Sequence, residues 1–301
     1  MTVTAAYTVC RSIAKREAKN FYYAFRVLPK HKSDAMCAVY AFMRRADDIA
    51  DDESMPIAER REVMRQWLGD WRAARRGEVS PDPVFVALND TQKTFGISDE
   101  LLENLVKGTT MDLEPSSVSE GGVQTCANFD ELYRYCYLVA SVVGLVCIRI
   151  FGYSDARAER YAEETGIAFQ LTNILRDVKE DAERGRIYLP LDMLAQHGVS
   201  VERVRELAAG ATLEANEREM LSALAAKAQD YYVSANELLP LIDADSRAAL
   251  WVLVMIYYDL LTRIRARNCD VFSSRVRVPT MGKLVLLARG ALMALRNRRA
   301  A

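Results

Sequence analysis

Gln170-Leu-Thr-Asn173-Ile-Leu-Arg176-Asp177-Val-Lys-Glu180-Asp181 is the stretch on which the reading of this chain turns. Taken as a helix, it sets Gln170, Asn173, Asp177 and Asp181 along one stripe. Leu171, Ile174, Leu175 and Val178 fall on the neighbouring faces. Such a helix packs into a core and shows amides and carboxylates to a cavity. Asp177 and Asp181, with Glu180 beside them, repel one another in a partly dry site unless something positive stands between them. Lysine or arginine partners meet that need. So does a hard divalent cation such as Mg²⁺, which takes oxygen ligands and leaves positions open for phosphate.

A second acidic cluster shifts the weighing toward the cation. Arg44-Arg45-Ala-Asp47-Asp48-Ile-Ala-Asp51-Asp52 again places aspartates four apart, Asp47 and Asp51, at the end of a run that is otherwise apolar (Ala38, Val39, Ala41, Phe42, Met43, Ile49). Two DxxxD helices, each with arginine just upstream, predict a facing pair. Facing aspartates clamp Mg²⁺ ions, and the ions hold a diphosphate.

Composition sets the class. Half of the 301 residues are hydrophobic, enough for a sizeable core in one large or two small domains. Gly and Pro are sparse, at 14 and 8, while Ala, Leu, Arg and Glu abound, which predicts an all-α protein. A net charge of −1 gives no strong pull toward nucleic acid. The six cysteines show no CxxC pair and lie in apolar helical pattern, so they read as reduced core thiols of a cytoplasmic protein. Met1 to Lys15 lacks the pattern of a secretory leader. The longest uncharged apolar run, Leu138 to Ile148, is broken by Arg149 and reads as too short for a bilayer.

Proline, glycine and capping signals divide the chain into helices over 8–28, 33–52, 56–76, 81–95, 98–107, 130–151, 155–184, 200–209, 214–239, 245–268 and 281–298. The polar, glycine-containing stretch between Leu113 and Asn128 is the one candidate linker. The two acidic helices lie on opposite sides of it and must meet, so residues 1–301 are read as one domain. Arg186-Ile-Tyr188-Leu-Pro190 follows the second acidic turn as a candidate flap, and no strand pattern or repeat stands out.

These blocks match a family. Phe21-Tyr-Tyr-Ala-Phe25, Tyr40-Ala-Phe-Met-Arg44-Arg-Ala-Asp47-Asp-Ile-Ala-Asp51, Tyr135-Cys-Tyr-Leu-Val-Ala-Ser-Val-Val-Gly144 and the Gln170 to Asp181 block with Arg186 to Pro190 resemble the squalene and phytoene synthases, the head-to-head isoprenoid diphosphate synthases. Met111-Asp-Leu-Glu-Pro115, Val139 to Leu145 and Asp270-Val-Phe-Ser-Ser-Arg-Val-Arg277 look most like the bacterial presqualene diphosphate synthases of hopanoid biosynthesis.

The resemblance implies a single-domain helical bundle around a deep central cavity. It puts Asp47 and Asp51 on one wall and Asp177 and Asp181 on the other, sharing Mg²⁺ with substrate diphosphate. Arg44, Arg45, Arg176 and Arg275 become diphosphate contacts, and Gln170 and Asn173 bind diphosphate or water. Metal and fixed arginines neutralise a departing diphosphate without proton transfer. The implied reaction ionises one farnesyl diphosphate to an allylic cation. The second molecule's 2,3 double bond then attacks, and proton loss closes a cyclopropane. Tyr40, Tyr135 and Tyr257 match site tyrosines, with Tyr135 nearest proton transfer and released diphosphate as a base. Phe21 and Phe25 match cavity-wall positions, where a bulky Phe25 favours fifteen-carbon chains.

Other readings stay open. Family members often carry Ser or His in the first helix to touch diphosphate, where this chain has Glu17-Ala-Lys19-Asn20. NADPH enters only where the intermediate is reduced to squalene, and no GxGxxG bears on that. His31 and His197, both read as loop residues, support no histidine metal site. The final helix, apolar with a basic end, suits either a core helix or peripheral contact with the inner face of a membrane. Prenyl diphosphates are the implied substrates and a downstream isoprenoid-pathway enzyme the implied partner. The alternatives are a phytoene synthase using geranylgeranyl diphosphate, a head-to-tail prenyl synthase or terpene cyclase, and a non-enzymatic helical scaffold.

Overall fold

Proline and small polar caps start the helices, and glycine in left-handed conformation stops several of them. The structure, a computed structural model, describes residues 1–18, 20–113, 119–120 and 123–300, without the side chains of 20, 21, 23, 112, 119–120 and 296–300. Lys19 and the side chains of Asn20 and Phe21 therefore lie outside the described residues.

The helices are α1 (Val3–Glu17), α2 (Asn20–Phe25), α3 (Lys30–Ala50), α4 (Ile57–Arg75), α5 (Pro83–Phe95), α6 (Asp99–Thr110), α7 (Phe129–Cys136), α8 (Val142–Phe151), α9 (Arg157–Glu183), α10 (Leu191–Gln196), α11 (Val201–Ala208), α12 (Ala215–Leu238), α13 (Ala244–Ala266) and α14 (Thr280–Ala300). Pro29 and Pro56 precede α3 and α4. Ser98, Asn128 and Ser200 accept from the backbone N–H of Leu101, Glu131 and Arg203 at the starts of α6, α7 and α11. Gly96 ends α5 at φ 60°, and Gly185 follows α9 at φ 74°. The predicted all-α class holds.

Three expectations change. The first helix is two: α1 packs on α3 and α5, whereas α2 packs on α3, α13 and α14, so the break at Ala18 lets one stretch serve two sets of neighbours. His31 is not in a loop but in the first turn of α3, stacked on Phe95. The third concerns the run around Leu138: α7, a π-helical turn at Tyr137–Ser141 and α8 form one continuous helix, Phe129–Phe151, long and apolar enough to cross a bilayer by length and composition. Its apolarity has a different use here, since the helix packs on α9 and also lines the central cavity.

That packing depends on missing side chains. A Cβ on Gly166 of α9 would stand 2.5 Å from Ser141 Cα, and one on Gly144 would stand 3.2 Å from the Ala162 carbonyl oxygen. Ser141 Oγ closes the contact by donating to the Glu163 carbonyl at 2.7 Å. The small residues at 140–144 thus bring the two backbones together.

The candidate linker is stitched down. Strand β2 (Val123–Thr125) pairs antiparallel with β1 (Ser119–Glu120) and parallel with β3 (Arg186–Ile187), in register Gln124 to Arg186. Leu191 and Asp192 N–H then donate to the carbonyls of Cys126 and Ala127. The flap and the linker form one small sheet over the end of α9. Two- and three-residue strands leave no periodicity to read.

At the opposite end, buried Lys32 near the start of α3 donates to the Phe151 carbonyl at the end of α8 (2.7 Å), to Asp245 Oδ1 at the start of α13 (2.7 Å) and to Ser246 Oγ (3.1 Å). A buried ammonium satisfied by these oxygens, with Asp243 Oδ2 at 3.4 Å, fixes these helix ends together. All six cysteines are free thiols and four are buried.

Candidate active site

α3 and α13 both start at the Lys32 tie, and α9 starts shortly beyond Phe151, so the three helices run away from the same end. Between them lies a cavity of about 280 Å³. α3 lends it Met36, Val39, Tyr40 and Met43. α9 lends Gly166, Phe169, Gln170 and Asn173, and α13 lends Leu250, Leu253 and Tyr257. Phe25, Val143, Cys147 and Phe151 complete much of the apolar wall. Polar groups gather away from the tie: Tyr40, Gln170, Asn173 and Tyr257.

Each wall stripe continues past the cavity into acid. On α3 the series Met36, Tyr40, Met43 runs on to Asp47 and Asp51; on α9 the series Gly166, Gln170, Asn173 runs on to Asp177 and Asp181. Tyr135 lies one helical turn before Val139, a cavity residue on the helix that runs back toward the tie, so it sits at this acidic end too. It stacks on Tyr188 of the small sheet, ring centroids 4.5 Å apart.

Asp177 of the α9 pair is clamped by cations. Arg176 Nε donates to Asp177 Oδ1 at 2.8 Å and a terminal Arg176 nitrogen to Oδ2, while Arg275, beyond α13, donates to Asp177 Oδ1 at 2.6 Å and lies 3.4 Å from Glu180. Asp181 is different. Burial and the adjacent Asp177 push its carboxyl up to about 6, against the pull of Arg186 and Arg184. On α3, Arg44 pairs with Asp48 at 2.6 Å, leaving Asp47 half-buried and Asp51 exposed at the helix end. Arg45 is exposed, and its charge offsets only a small part of the rise that burial imposes on the Cys10 thiol of α1.

Aromatic faces line the passage. Phe169 and Tyr257 stack at 4.4 Å with an interplanar angle of 9°. Burial raises the Tyr257 phenol, partly offset by Arg176 and a hydrogen bond with Asn173. Phe169 and Tyr188 were not singled out from the sequence. The first was marked by its place one turn before Asn173, the second by the Arg-Ile-Tyr-Leu-Pro stretch.

The donor set fits a hard divalent cation. Both acidic pairs occupy the last turns of their helices, at the negative end of the backbone dipole, with no basic residue in the last turn of either. Carboxylates there are unfavourable without a counter-cation. Arg44 Nε and Asn173 Oδ1 are buried without hydrogen-bond partners, a donor and an acceptor left over beside the same end. Among the described residues no three acidic, histidine or cysteine side chains converge into a closed metal site. Mg²⁺ does not require one, since it binds through one or two carboxylates plus waters and substrate phosphates.

The description squalene/phytoene synthase matches residues 14–282. The chain belongs to the squalene/phytoene synthase family. It is 37% identical over 290 residues to a phytoene synthase of Mycobacterium tuberculosis, covering 95% of this chain and 90% of that protein, and 33% identical to a phytoene synthase of Arthrospira platensis, covering 97% and 94%. In three dimensions it resembles a dehydrosqualene synthase solved with a ligand, at TM-score 0.82 and 30% identity over 98% of each chain. A squalene synthase from Alicyclobacillus acidocaldarius aligns at TM-score 0.78 and 25% identity, over 88% of this chain and 95% of that one. This squalene/phytoene synthase homologue is therefore a prenyl transferase of the head-to-head isoprenoid class, acting on prenyl diphosphates.

Proposed function

We propose that the protein condenses two farnesyl diphosphates head to head to presqualene diphosphate, with Mg²⁺ held by Asp47, Asp51, Asp177 and Asp181. The observation that carries this reading is the continuation of the two cavity-wall stripes into aspartate pairs at one end of an apolar chamber. Such a chamber takes prenyl tails, and its charged end takes diphosphates.

When bound, the metal supplies positive charge that stabilises diphosphate as a leaving group. The chain's own residues do the rest. Arg44, Arg176 and Arg275 present guanidinium groups suited to phosphate oxygens. Gln170 and Asn173 orient the head group at the boundary between polar and apolar wall. The faces of Phe169 and Tyr257 stabilise an allylic cation, and the apolar wall keeps water from it. Tyr135, held by its stack on Tyr188, stands at the acidic end where the released diphosphate would take the proton lost on cyclopropane closure.

Fifteen-carbon substrate is supported by Phe25, 4% exposed, which fills part of the wall. The names of the 37% and 33% identical relatives favour a second reading, phytoene synthesis from geranylgeranyl diphosphate. Purified protein given labelled farnesyl or geranylgeranyl diphosphate with Mg²⁺, with and without NADPH, separates the two: presqualene diphosphate from the first supports the proposal, and turnover of the second alone overturns it. Phe25→Ala is expected to raise the use of geranylgeranyl over farnesyl diphosphate in competition. An unchanged ratio removes Phe25 as the determinant of chain length.

A further inference from the structure

We propose that the outer face of α14 docks on an anionic lipid bilayer. Met281, Val285, Ala288, Leu292 and Leu295 recur at alternating steps of four and three along that face, and all are exposed. Leu292 is 59% exposed and Leu295 55%. The inner face is accounted for, because Gly290 lies against Val252 of α13 and Ala294 is buried. Beside the exposed stripe runs a groove of about 510 Å³ between α14 and Arg26–Val27. Those two residues directly follow Phe25 of the central cavity wall, so the apolar surface begins one residue from the chamber.

Charge selects the occupant. After Asp270 the chain has no acidic residue, yet it carries Arg275, Arg277, Lys283, Arg289 and three arginines among 296–299. The whole chain is net −1, so the rest of the molecule holds the compensating negative excess. Lys283 and Arg289 pair with no carboxylate among the described residues. An apolar stripe bordered by the exposed, unpaired Arg289 and followed by a sequence rich in arginine matches an interfacial helix on anionic lipid. A second copy fits worse, because pairing two α14 stripes sets like-charged Arg289 positions side by side. The inference stands independently of the substrate, since it rests on α14 alone.

The test is co-sedimentation of the purified full chain with phosphatidylcholine vesicles, with and without phosphatidylglycerol. We expect binding to the anionic vesicles only, released by salt. Leu292→Glu with Leu295→Glu abolishes it. Arg289→Gln weakens it by about fivefold, as loss of one charge near the surface requires. Val233→Glu, at an exposed apolar position on α12, leaves it unchanged. These substitutions are at exposed positions, and circular dichroism verifies folding. Failure to bind anionic vesicles, equal binding to neutral ones, or full binding by the double variant overturns the proposal. So does a change in molar mass by light scattering in the double variant, which would make a second copy the occupant.

Discussion

The two acidic helices carry the same DxxxD spacing in opposite surroundings. On α9, Asp177 is 19% exposed and held by Arg176 and Arg275, with Asp181 half-buried beside it and its carboxyl raised. On α3, Asp51 stands in solvent at the helix terminus, and the nearby guanidinium of Arg44 is taken by Asp48. Like charges four apart repel in both places, but on α9 two guanidinium groups hold Asp177, whereas on α3 Asp51 is exposed. The α9 wall is the preorganised half of the site, and the α3 wall is the half that a cation must organise.

Removing metal is the largest perturbation of that contrast. With a chelator, turnover of prenyl diphosphate should vanish and return on adding Mg²⁺, followed by release of diphosphate; persistent turnover would mean that the arginines suffice. Next, Asp177→Asn should lower kcat/KM about a thousandfold, in the range of lost preorganised electrostatic stabilisation. Asp51→Asn should cost less, because nothing else is arranged around it. Equal losses would erase the asymmetry between the walls.

A smaller effect is expected from Arg275. Its side chain is 39% exposed, and Arg275→Gln should raise KM about tenfold while Arg176 still holds Asp177. An unchanged KM would show that this arginine serves only the resting ion pair. Smallest of all, Arg45→Gln should change kcat/KM less than about twofold, since an exposed side chain facing α1 is worth little to the site. A loss matching that of Arg44→Gln would place Arg45 on the substrate.

Much of the fold was legible because it is periodic. The acid stripe of α9, the apolar run of α3 and the proline and glycine punctuation repeat on the helical scale, so the boundaries of α4, α5 and α12 fell within one or two residues of those read. The break between α1 and α2 was not legible, since neither proline nor glycine marks it and the two pieces are separated by their different packing partners. Nor was the small sheet, whose strands are too short for a pattern and whose partners lie far apart in sequence. In the site, residue types announced the aspartates and arginines. Their roles as clamped, raised or solvent-exposed groups depend on neighbours brought in from other helices.

Sequence alone determined the all-α class, the two acid stripes and the residues that head them, because helical periodicity and charge are local properties of a chain. Tertiary structure alone decided that Arg275 joins Arg176 on Asp177, that Arg45 turns outward, and that the polar stretch before α7 is bound to the end of α9. Those are long-range contacts, set by how helices of different length pack around one cavity, and no short window of sequence contains them.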